Sequence, residues 1–281
     1  MTDKYAVIGN PVAHSKSPLI HQEFAKQTGQ DISYERILAP LNGFEEVIRD
    51  LIKQGYKGVN VTVPFKFEAL KFIAQNGVLI PLADKARAIN TISFNADGSV
   101  VGANTDGIGL VNDITHNLKF NIQHKKVLLL GSGGAAFGIL QPLVAANPSL
   151  IVVSNRTFAK AEEAAKIISG FTDTSQSKAV CMAKKFDELA DMAFDLVINS
   201  TSTGLTDTAL PIPSTIFAKD CLAYDMMYGR ETPFMKQALA TGAQVADGLG
   251  MLVEQAAEAF YLWRGVRPET QSVMQLIRSL S

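Results

Sequence analysis

Cysteine is scarce in this sequence, and long uninterrupted apolar runs are missing. The 281 residues include only two cysteines, Cys181 and Cys221, and neither belongs to a metal-ligand spacing or a disulfide framework. No apolar segment approaches the roughly 18 residues needed to cross a bilayer, and the N-terminus leads directly into a predicted strand. These absences predict a reduced, cytoplasmic protein without a metal site.

Net charge is also almost absent. The 26 lysines and arginines balance 27 acidic residues, which leaves a formal charge of -1. A balanced surface gives no electrostatic reason to expect nucleic acid or an anionic membrane as a partner, so a small molecule is expected instead. Hydrophobic residues make up 47% of the chain, enough to bury the cores of one large or two medium domains.

A glycine-rich segment follows an apolar run near the middle of the chain. Val127–Leu130 predicts a buried strand, and the small residues after it allow a tight turn into a helix that extends to about Asn147. The spacing G-x-G-x-x-A is that of a dinucleotide-binding turn, with Gly131 in the turn, Gly133 where a pyrophosphate approaches the backbone, and Ala136 packing helix on strand. Free N–H groups at the helix start would bind the phosphates.

The next predicted strand, Leu150–Ser154, bears on the choice between NAD and NADP. NAD-specific folds place an acidic residue at the end of this strand, about 20 residues after the glycines. Asn155 stands there instead, and Arg156 with Lys160 offers two positive charges one helical turn apart, which suits a 2′-phosphate. The alternative is that both are ordinary solvated charges at a helix start. Together with the glycine motif, the pattern favours NADP.

Strand and helix patterns alternate on both sides of this segment, which is typical of an α/β protein. Residues 1–106 predict an N-terminal α/β domain for substrate, which the C-terminal helical segment 250–281 joins. Residues 107–249 predict a doubly wound parallel sheet, a Rossmann domain for NADP. Its further strands are predicted at 179–182, 194–198, 222–226 and 244–246.

Four polar clusters follow predicted strands or begin predicted helices, where open α/β sheets carry small-molecule sites. They are Ser15 with Ser17, Thr62 with Lys66, Asn90 alone, and Asn104 with Asp106. Each has a purely structural alternative. Ser17 and Asp106 would cap helices, Lys66 would be a first-turn charge, and Asn90 would occupy a turn.

Combined with an NADP site, these clusters predict a carbonyl/alcohol oxidoreductase. Hydride transfer requires a proton for the forming alkoxide, and neither a zinc cluster nor a Tyr-x-x-x-Lys pair stands out as its source. A lysine ammonium is protonated at neutral pH, so it can both stabilise negative charge and supply the proton. Lys66 is the candidate, and Asp106 would hold it in position.

Motifs spread over nearly the whole chain resemble those of the shikimate dehydrogenase family, in the family's order. They are P-x-x-H-S-K-S-P at 11–18, N-V-T-V-P-F-K at 60–66, A-I-N-T at 88–91, G-x-N-T-D-G at 102–107, G-S-G-G-A at 131–135, N-R-T at 155–157, Y-D-M-x-Y at 224–228 and D-G-L-G-M-L-V-x-Q at 247–255. The resemblance implies NADPH-dependent, reversible reduction of 3-dehydroshikimate to shikimate in chorismate and aromatic amino-acid biosynthesis. It is compatible with a monomer or a homodimer.

The resemblance also implies roles for individual residues. Lys66 would be the catalytic acid/base and Asp106 its partner. The substrate-binding residues would be Ser15, Ser17 and Tyr228 for the carboxylate, and Thr62, Asn90, Asp106 and Gln255 for the ring. The cofactor would be bound by Gly131, Ser132, Gly133, Gly134, Ala135, Asn155, Arg156, Thr157, Lys160, Met226 and Gly248.

Two residues depart from the family pattern, and two other functions stay open. Phe137 stands where a basic residue is frequent, which would weaken a phosphate contact, and Arg87 stands where glycine is common. A quinate/shikimate dehydrogenase using NAD would call for an acidic residue near Asn155. A catalytically inactive nucleotide-binding regulator predicts the loss of Lys66 or Asp106, and both are present.

Overall fold

The computed structural model of the protein describes residues 2–79, 88–172, 177–201, 203 and 207–280, so Arg87 lies outside the described residues. The chain forms two compact units: Met1–Gly109 together with Leu252–Ser281, and Leu110–Met251. Among the described helices, none is both long and apolar enough to cross a membrane.

The first unit is built on a six-stranded mixed sheet with the order β2-β1-β3-β5-β6-β4. Its strands are β1 (Asp3–Gly9), β2 (Ile32–Leu38), β3 (Gly58–Val61), β4 (Val78–Leu79), β5 (Thr91–Phe94) and β6 (Val100–Ala103). β1 runs parallel to β2 and β3, and β4 runs parallel to β6. β5 is antiparallel to both its neighbours, β3 and β6.

Helices cover both faces of this sheet. They are α1 (Ser17–Thr28), α2 (Phe44–Lys53), α3 (Lys66–Asn76), α4 (Asp106–Asn112), α8 (Leu249–Arg264) and α9 (Gln271–Ser279). Successive residues of a strand point to opposite faces. Ile8 of β1 therefore joins a core with Ile48 and Phe72 of α2 and α3, whereas Tyr5 joins a second cluster with Trp263 of α8.

The start of α1 differs from the prediction. Ser17 is the first residue of the helix rather than its N-cap, and the preceding residue, Lys16, is helical and caps nothing with its side chain. The predicted capping role of Ser17 is therefore wrong. The helix end agrees with the sequence: Gly29 adopts a left-handed conformation, with φ of 65°, and its N–H donates to Ala25 O.

The second unit contains a parallel sheet with the order β12-β11-β10-β7-β8-β9. Its strands are β7 (Lys126–Leu130), β8 (Leu150–Ser154), β9 (Val180–Ala183), β10 (Phe194–Asn199), β11 (Phe217–Asp225) and β12 (Gln244–Ala246). All neighbours are parallel, and the order reverses at β7, which confirms the predicted doubly wound sheet. Ligands bind such sheets outside the carboxyl ends of the strands at the reversal.

Both faces of this second sheet are buried. Leu129 of β7 packs into one hydrophobic core, and Leu128 and Leu130 pack into another. Helices α5 (Gly134–Ala145), α6 (Phe158–Thr172) and α7 (Pro233–Leu239) connect the strands. Burial on both sides explains why β7 and β8 are continuous apolar runs instead of alternating ones.

Candidate active site

Lys66 and Asp106 form an ion pair in the first unit. Lys66 Nζ donates to Asp106 Oδ2 at 2.5 Å, and the two side chains are 16% and 9% exposed. Lys66 begins α3 and Asp106 begins α4, so two helix starts bring the charges together. Asp106 does not act as a helix cap, because its other carboxylate oxygen accepts from the Asn90 side chain at 2.9 Å. The sequence placed the two residues in separate clusters and predicted that Asp106 would hold Lys66, and this contact is confirmed.

Asn90 links the ion pair to the rest of the first unit. Its Nδ2 lies 2.9 Å from Asp106 Oδ1, 2.9 Å from Thr105 Oγ1 and 3.3 Å from Gln255 Oε1. Its Oδ1 accepts from the Thr105 N–H at 2.8 Å, which fixes the orientation of the amide. The alternative of a simple turn residue does not fit a side chain that is 2% exposed and this fully bonded.

Thr105 is a site residue that sequence reasoning missed. It is buried, and both its backbone N–H and its hydroxyl contact the Asn90 side chain. The only signal was its place between Asn104 and Asp106, two residues already chosen as candidates. Asn104 itself serves the local backbone, since its Oδ1 accepts from the Asp106 N–H at 3.0 Å and its Nδ2 donates to Ala88 O at 2.8 Å.

Ser15 and Ser17 lie together at the start of α1. Ser15 Oγ donates to Ser17 Oγ at 3.2 Å and accepts from the Ser17 N–H at 3.3 Å. Arg36 on β2 holds this turn, because its Nε and Nη2 donate to the Ser15 carbonyl at 3.0 and 2.6 Å. Two hydroxyls at a helix N-terminus can bind a carboxylate without an arginine in direct contact.

Thr62 directly follows β3 and has fewer side-chain contacts than the serines. Its N–H donates to Ile8 O at 2.9 Å, and its methyl group packs against Gly9, where an added Cβ would lie only 2.5 Å away. Within the described ranges, its hydroxyl makes no hydrogen bond to another side chain. The side chain is half-buried, so the hydroxyl can serve a ligand.

The glycine-rich turn of the second unit has the conformation that its sequence predicts. Gly131 has a φ of 102°, and an added Cβ would lie 2.6 Å from Ser200 Oγ, so only glycine fits. Gly133 precedes α5 and has open space around its Cα. Ser132 Oγ is buried without a hydrogen-bond partner among the described residues. An open backbone, an unsatisfied hydroxyl and a helix N-terminus together fit a pyrophosphate.

The turn after β8 presents positive charge. Asn155 Nδ2 donates to Thr157 O at 3.0 Å and closes the turn. Arg156 and Lys160 are exposed, and neither forms an ion pair in the part of the chain that the structure describes. Two such cations beside the end of β8, with an amide where NAD sites carry a carboxylate, fit the 2′-phosphate of NADP.

A loop after β11 carries Met226 and Tyr228. Asp225, the last residue of β11, holds the start of this loop, and sequence reasoning missed it. Its carboxylate accepts hydrogen bonds from Thr232 Oγ1 at 2.5 Å, Asn199 Nδ2 at 3.1 Å and the Met227 N–H at 3.0 Å. Burial raises the pKa of Asp225, although these hydrogen bonds oppose the rise. The buried carboxylate thus fixes the start of the loop.

Gly248 lies against this loop and cannot be replaced by a larger residue. Its N–H donates to Met227 O at 2.9 Å, and a Cβ would overlap the Met226 carbonyl. Tyr228 is half-buried, and burial raises the pKa of its hydroxyl, which therefore remains a hydrogen-bond donor at neutral pH. Phe137, the other departure from the family pattern, is 9% exposed and packs into the hydrophobic core of this unit.

These features define a class of protein. The strand order, the glycine turn and the positive charges after β8 are those of a dinucleotide-binding Rossmann unit, and the first unit supplies a buried lysine–carboxylate pair suited to proton transfer. The protein is therefore a nicotinamide-dependent dehydrogenase in its architecture.

Comparison with known proteins narrows this class. Family models for the shikimate dehydrogenase substrate binding domain, for shikimate / quinate 5-dehydrogenase and for the shikimate 5'-dehydrogenase C-terminal domain match residues 7–92, 113–206 and 248–278. The shikimate dehydrogenase (NADP(+)) of Methylobacillus flagellatus is 56% identical over 279 residues, covering 99% of each chain. That of Laribacter hongkongensis is 50% identical over 280 residues, covering 99% of this chain and 98% of the relative. The chain belongs to the shikimate dehydrogenase family.

Solved structures agree with this assignment. The crystal structure of shikimate 5-dehydrogenase from Thermus thermophilus, in complex with NADP(H) and shikimate, covers 100% of both chains with a TM-score of 0.86 and 29% sequence identity. An enzyme from Pseudomonas putida named Ael1 has a TM-score of 0.88 at 41% identity and covers 98% of both chains. The fold of the whole chain is thus shared with this family.

Proposed function

We propose that this protein catalyses the NADPH-dependent, reversible reduction of 3-dehydroshikimate to shikimate, a step of chorismate and aromatic amino-acid biosynthesis. The observation that carries the proposal is the largely buried Lys66–Asp106 pair, in which Asp106 also accepts from Asn90, in a chain that has the exposed cations Arg156 and Lys160 after β8. A general acid and a 2′-phosphate site are what this reaction needs. The two curated relatives are named as NADP-dependent shikimate dehydrogenases, and the similar Thermus thermophilus enzyme was solved in complex with NADP(H) and shikimate.

Lys66 acts as the acid in the direction of reduction. NADPH, when bound, supplies the hydride. The Lys66 ammonium donates its proton to the carbonyl oxygen of the substrate as that oxygen becomes an alkoxide, and the same lysine accepts the hydroxyl proton in the oxidation direction. Asp106 keeps the ammonium in place through the 2.5 Å ion pair, and Asn90 keeps Asp106 in place.

The remaining predicted residues serve binding in this proposal. On the substrate, the hydroxyls of Ser15, Ser17 and Tyr228 bind the carboxylate, and Thr62, Asn90, Asp106 and Gln255 bind ring substituents. On NADP, Gly131, Ser132, Gly133, Gly134 and Ala135 bind the pyrophosphate, Asn155, Arg156, Thr157 and Lys160 bind the adenosine phosphate, and Met226 and Gly248 lie near the nicotinamide. Residues 1–106 with 250–281 form the substrate-binding part, and residues 107–249 form the NADP-binding part. A cytoplasmic location and a monomeric or homodimeric state stay predictions.

The two alternatives fit the structure less well. A quinate/shikimate dehydrogenase using NAD needs a carboxylate near Asn155, and the turn after β8 has an amide and two cations there. An inactive regulator has no need of a buried Lys66–Asp106 pair, whose desolvation must be offset by precise geometry.

Initial rates with the purified protein test the proposal. We expect NADP reduction with shikimate to be fast, and the rates with quinate or with NAD to be much lower. The Lys66→Ala variant, measured under the same conditions, gives the background rate. Faster turnover with quinate and NAD than with shikimate and NADP would contradict the proposal, and so would wild-type activity no greater than that of Lys66→Ala.

A further inference from the structure

Tyr34 of β2 has a buried hydroxyl at the centre of the first unit's polar residues. Its side chain is 5% exposed, and its hydroxyl donates to Asn60 Oδ1 at 2.7 Å. Burial raises the pKa of the Tyr34 hydroxyl well above its usual value, and the Ser17 side chain opposes that rise. The Tyr34 hydroxyl therefore joins β2 to an amide on β3, the next strand but one in the sheet.

Asn60 on β3 extends this contact towards the ion pair. Its Nδ2 donates to Thr91 Oγ1 at 3.1 Å and to Asn90 O at 3.3 Å. The Thr91 hydroxyl donates to Asn90 Oδ1 at 3.0 Å, and Asn90 Nδ2 donates to Asp106. Each link has one donor and one acceptor. Rotation of the Asn60 amide by half a turn would set its carbonyl against the Asn90 carbonyl, so its orientation is fixed.

The turn that carries Ser15 and Ser17 is also attached to β2. Arg36, two residues after Tyr34, makes both of its contacts to the Ser15 carbonyl, and Ser15 donates to Ser17. Residues two apart on a strand lie on the same face. One strand thus positions the serine turn through Arg36 and contacts Asn60 through Tyr34.

The Tyr34 ring is held so that only its hydroxyl reaches polar atoms. His21 stacks on it with ring centroids 4.2 Å apart and planes 7° apart, and Trp263 lies 6.4 Å away. His21 is fully buried, neither of its ring nitrogens has a hydrogen-bond partner in the described ranges, and burial lowers its pKa to about 3. It is therefore a neutral aromatic ring packed on Tyr34 at physiological pH, and the hydrogen bond that the structure gives the Tyr34 hydroxyl is the one to Asn60.

We infer that Tyr34 is a positioning residue for the reaction, whose hydroxyl holds Asn60, and through it Asn90 and Asp106, in the arrangement that binds the substrate ring over Lys66. The inference rests on the proposed function. Without the hydroxyl, the buried Asn60 Oδ1 loses the donor that orients its amide, and the hydrogen bonds from Asn60 to Asn90 and Thr91 lose their attachment to β2.

Two matched variants test this inference. Tyr34→Phe removes the hydroxyl and keeps the ring, and Tyr5→Phe does the same to a second buried tyrosine in the same cluster, whose hydroxyl contacts Arg264 instead. We expect Tyr34→Phe to raise the KM for shikimate about tenfold, the size expected for one oriented buried hydrogen bond, with an unchanged KM for NADP. Tyr5→Phe should change neither constant, although both variants should lose similar stability in urea.

The outcomes separate the inference from the proposed function. Equal KM values for shikimate in the two variants would overturn the inference, and so would a parallel rise in the KM for NADP, since that indicates a general loss of fold. A wild-type protein with no shikimate activity would instead overturn the proposed function.

A second variant decides the question if Tyr34→Phe does not fold. In Asn60→Asp, the side chain still accepts from Tyr34 but can no longer donate to Asn90 O and Thr91. The series of hydrogen bonds is therefore interrupted between residue 60 and Asn90 instead of between Tyr34 and residue 60. We expect a lower kcat with an unchanged KM for NADP, because the Asn90–Asp106 arrangement is disturbed. An unchanged kcat in Asn60→Asp would show that the chain does not position the reacting groups.

Discussion

The two units differ in how they hold the polar groups that are proposed to contact ligands. In the first unit, the half-buried Lys66 and the buried Asn90 both bond to the buried Asp106, so their positions are set by the protein itself. In the second, Arg156 and Lys160 are exposed and carry no protein ion pair among the described residues. The difference agrees with the proposed function, in which proton transfer in the first unit needs a preorganised geometry and phosphate binding in the second needs accessible charge and backbone.

Replacement of Lys66 should produce the largest effect on activity, and it tests the role proposed for the first unit. Lys66→Ala should lower kcat at least ~100-fold, the low end for general acid–base catalysis, with little change in the KM for NADP. Lys71→Ala, which removes an exposed lysine from the same helix, is the matched control. Near-normal turnover in Lys66→Ala, measured by initial rates, would remove the assigned role.

Acid should weaken the first unit through His21. Because the pKa of His21 is lowered to about 3 in the folded protein, the unfolded chain binds a proton first as the pH falls. The contribution of the neutral ring is complete above the unfolded pKa of about 6.5. It declines below that by up to about 1.4 kcal/mol per pH unit, until the folded value is reached.

The His21→Phe variant checks this pH dependence. It should flatten the decline in the free energy of unfolding between pH 6.5 and pH 4.5, as measured by urea titration. Asp225 of the second unit responds in the opposite sense, since its raised pKa means that protonation favours the folded state as the pH falls. A wild-type and a His21→Phe protein with identical pH dependence would contradict this account of the buried ring.

Charge reversal after β8 should have the smallest effect and would sharpen the second half of the comparison. Arg156→Asp should raise the KM for NADP roughly tenfold and leave kcat near the wild-type value, because an exposed cation contributes to binding more than to chemistry. The effect should shrink at high salt. Lys166→Asp, at an exposed position further along α6, is the control and should change little. An unchanged KM for NADP in Arg156→Asp would remove the 2′-phosphate argument.

Local features of the chain were predicted well because short-range chemistry determines them. β8 and β12 have the predicted bounds. β11 was predicted to begin at Leu222 but begins at Phe217. Asp220 within it has a φ of 62°, and the pairing with β10 shifts register beside Phe194. This irregularity, with its charged residues, resembles a turn in sequence.

The polar contacts of the first unit were less predictable, because their partners are far apart in the chain. The contact between Lys66 and Asp106 was predicted, but the Asn90 side chain that also donates to Asp106 was not. Thr105 was missed for the same reason. Residue type and spacing identify which side chains can bond. The register of β3 and β5 then decides which of them meet.

The proposal that the first unit carries the proton transfer and the second binds NADP can be tested directly. The test measures kcat and the Kd for NADP in both Lys66→Ala and Arg156→Asp. The account predicts that Lys66→Ala binds NADP as the wild type does but turns over at least ~100-fold more slowly. Arg156→Asp should bind NADP more weakly and turn over normally at saturation. If both variants lose NADP binding and turnover together, the proposal that the two units have separate roles in catalysis and NADP binding is contradicted.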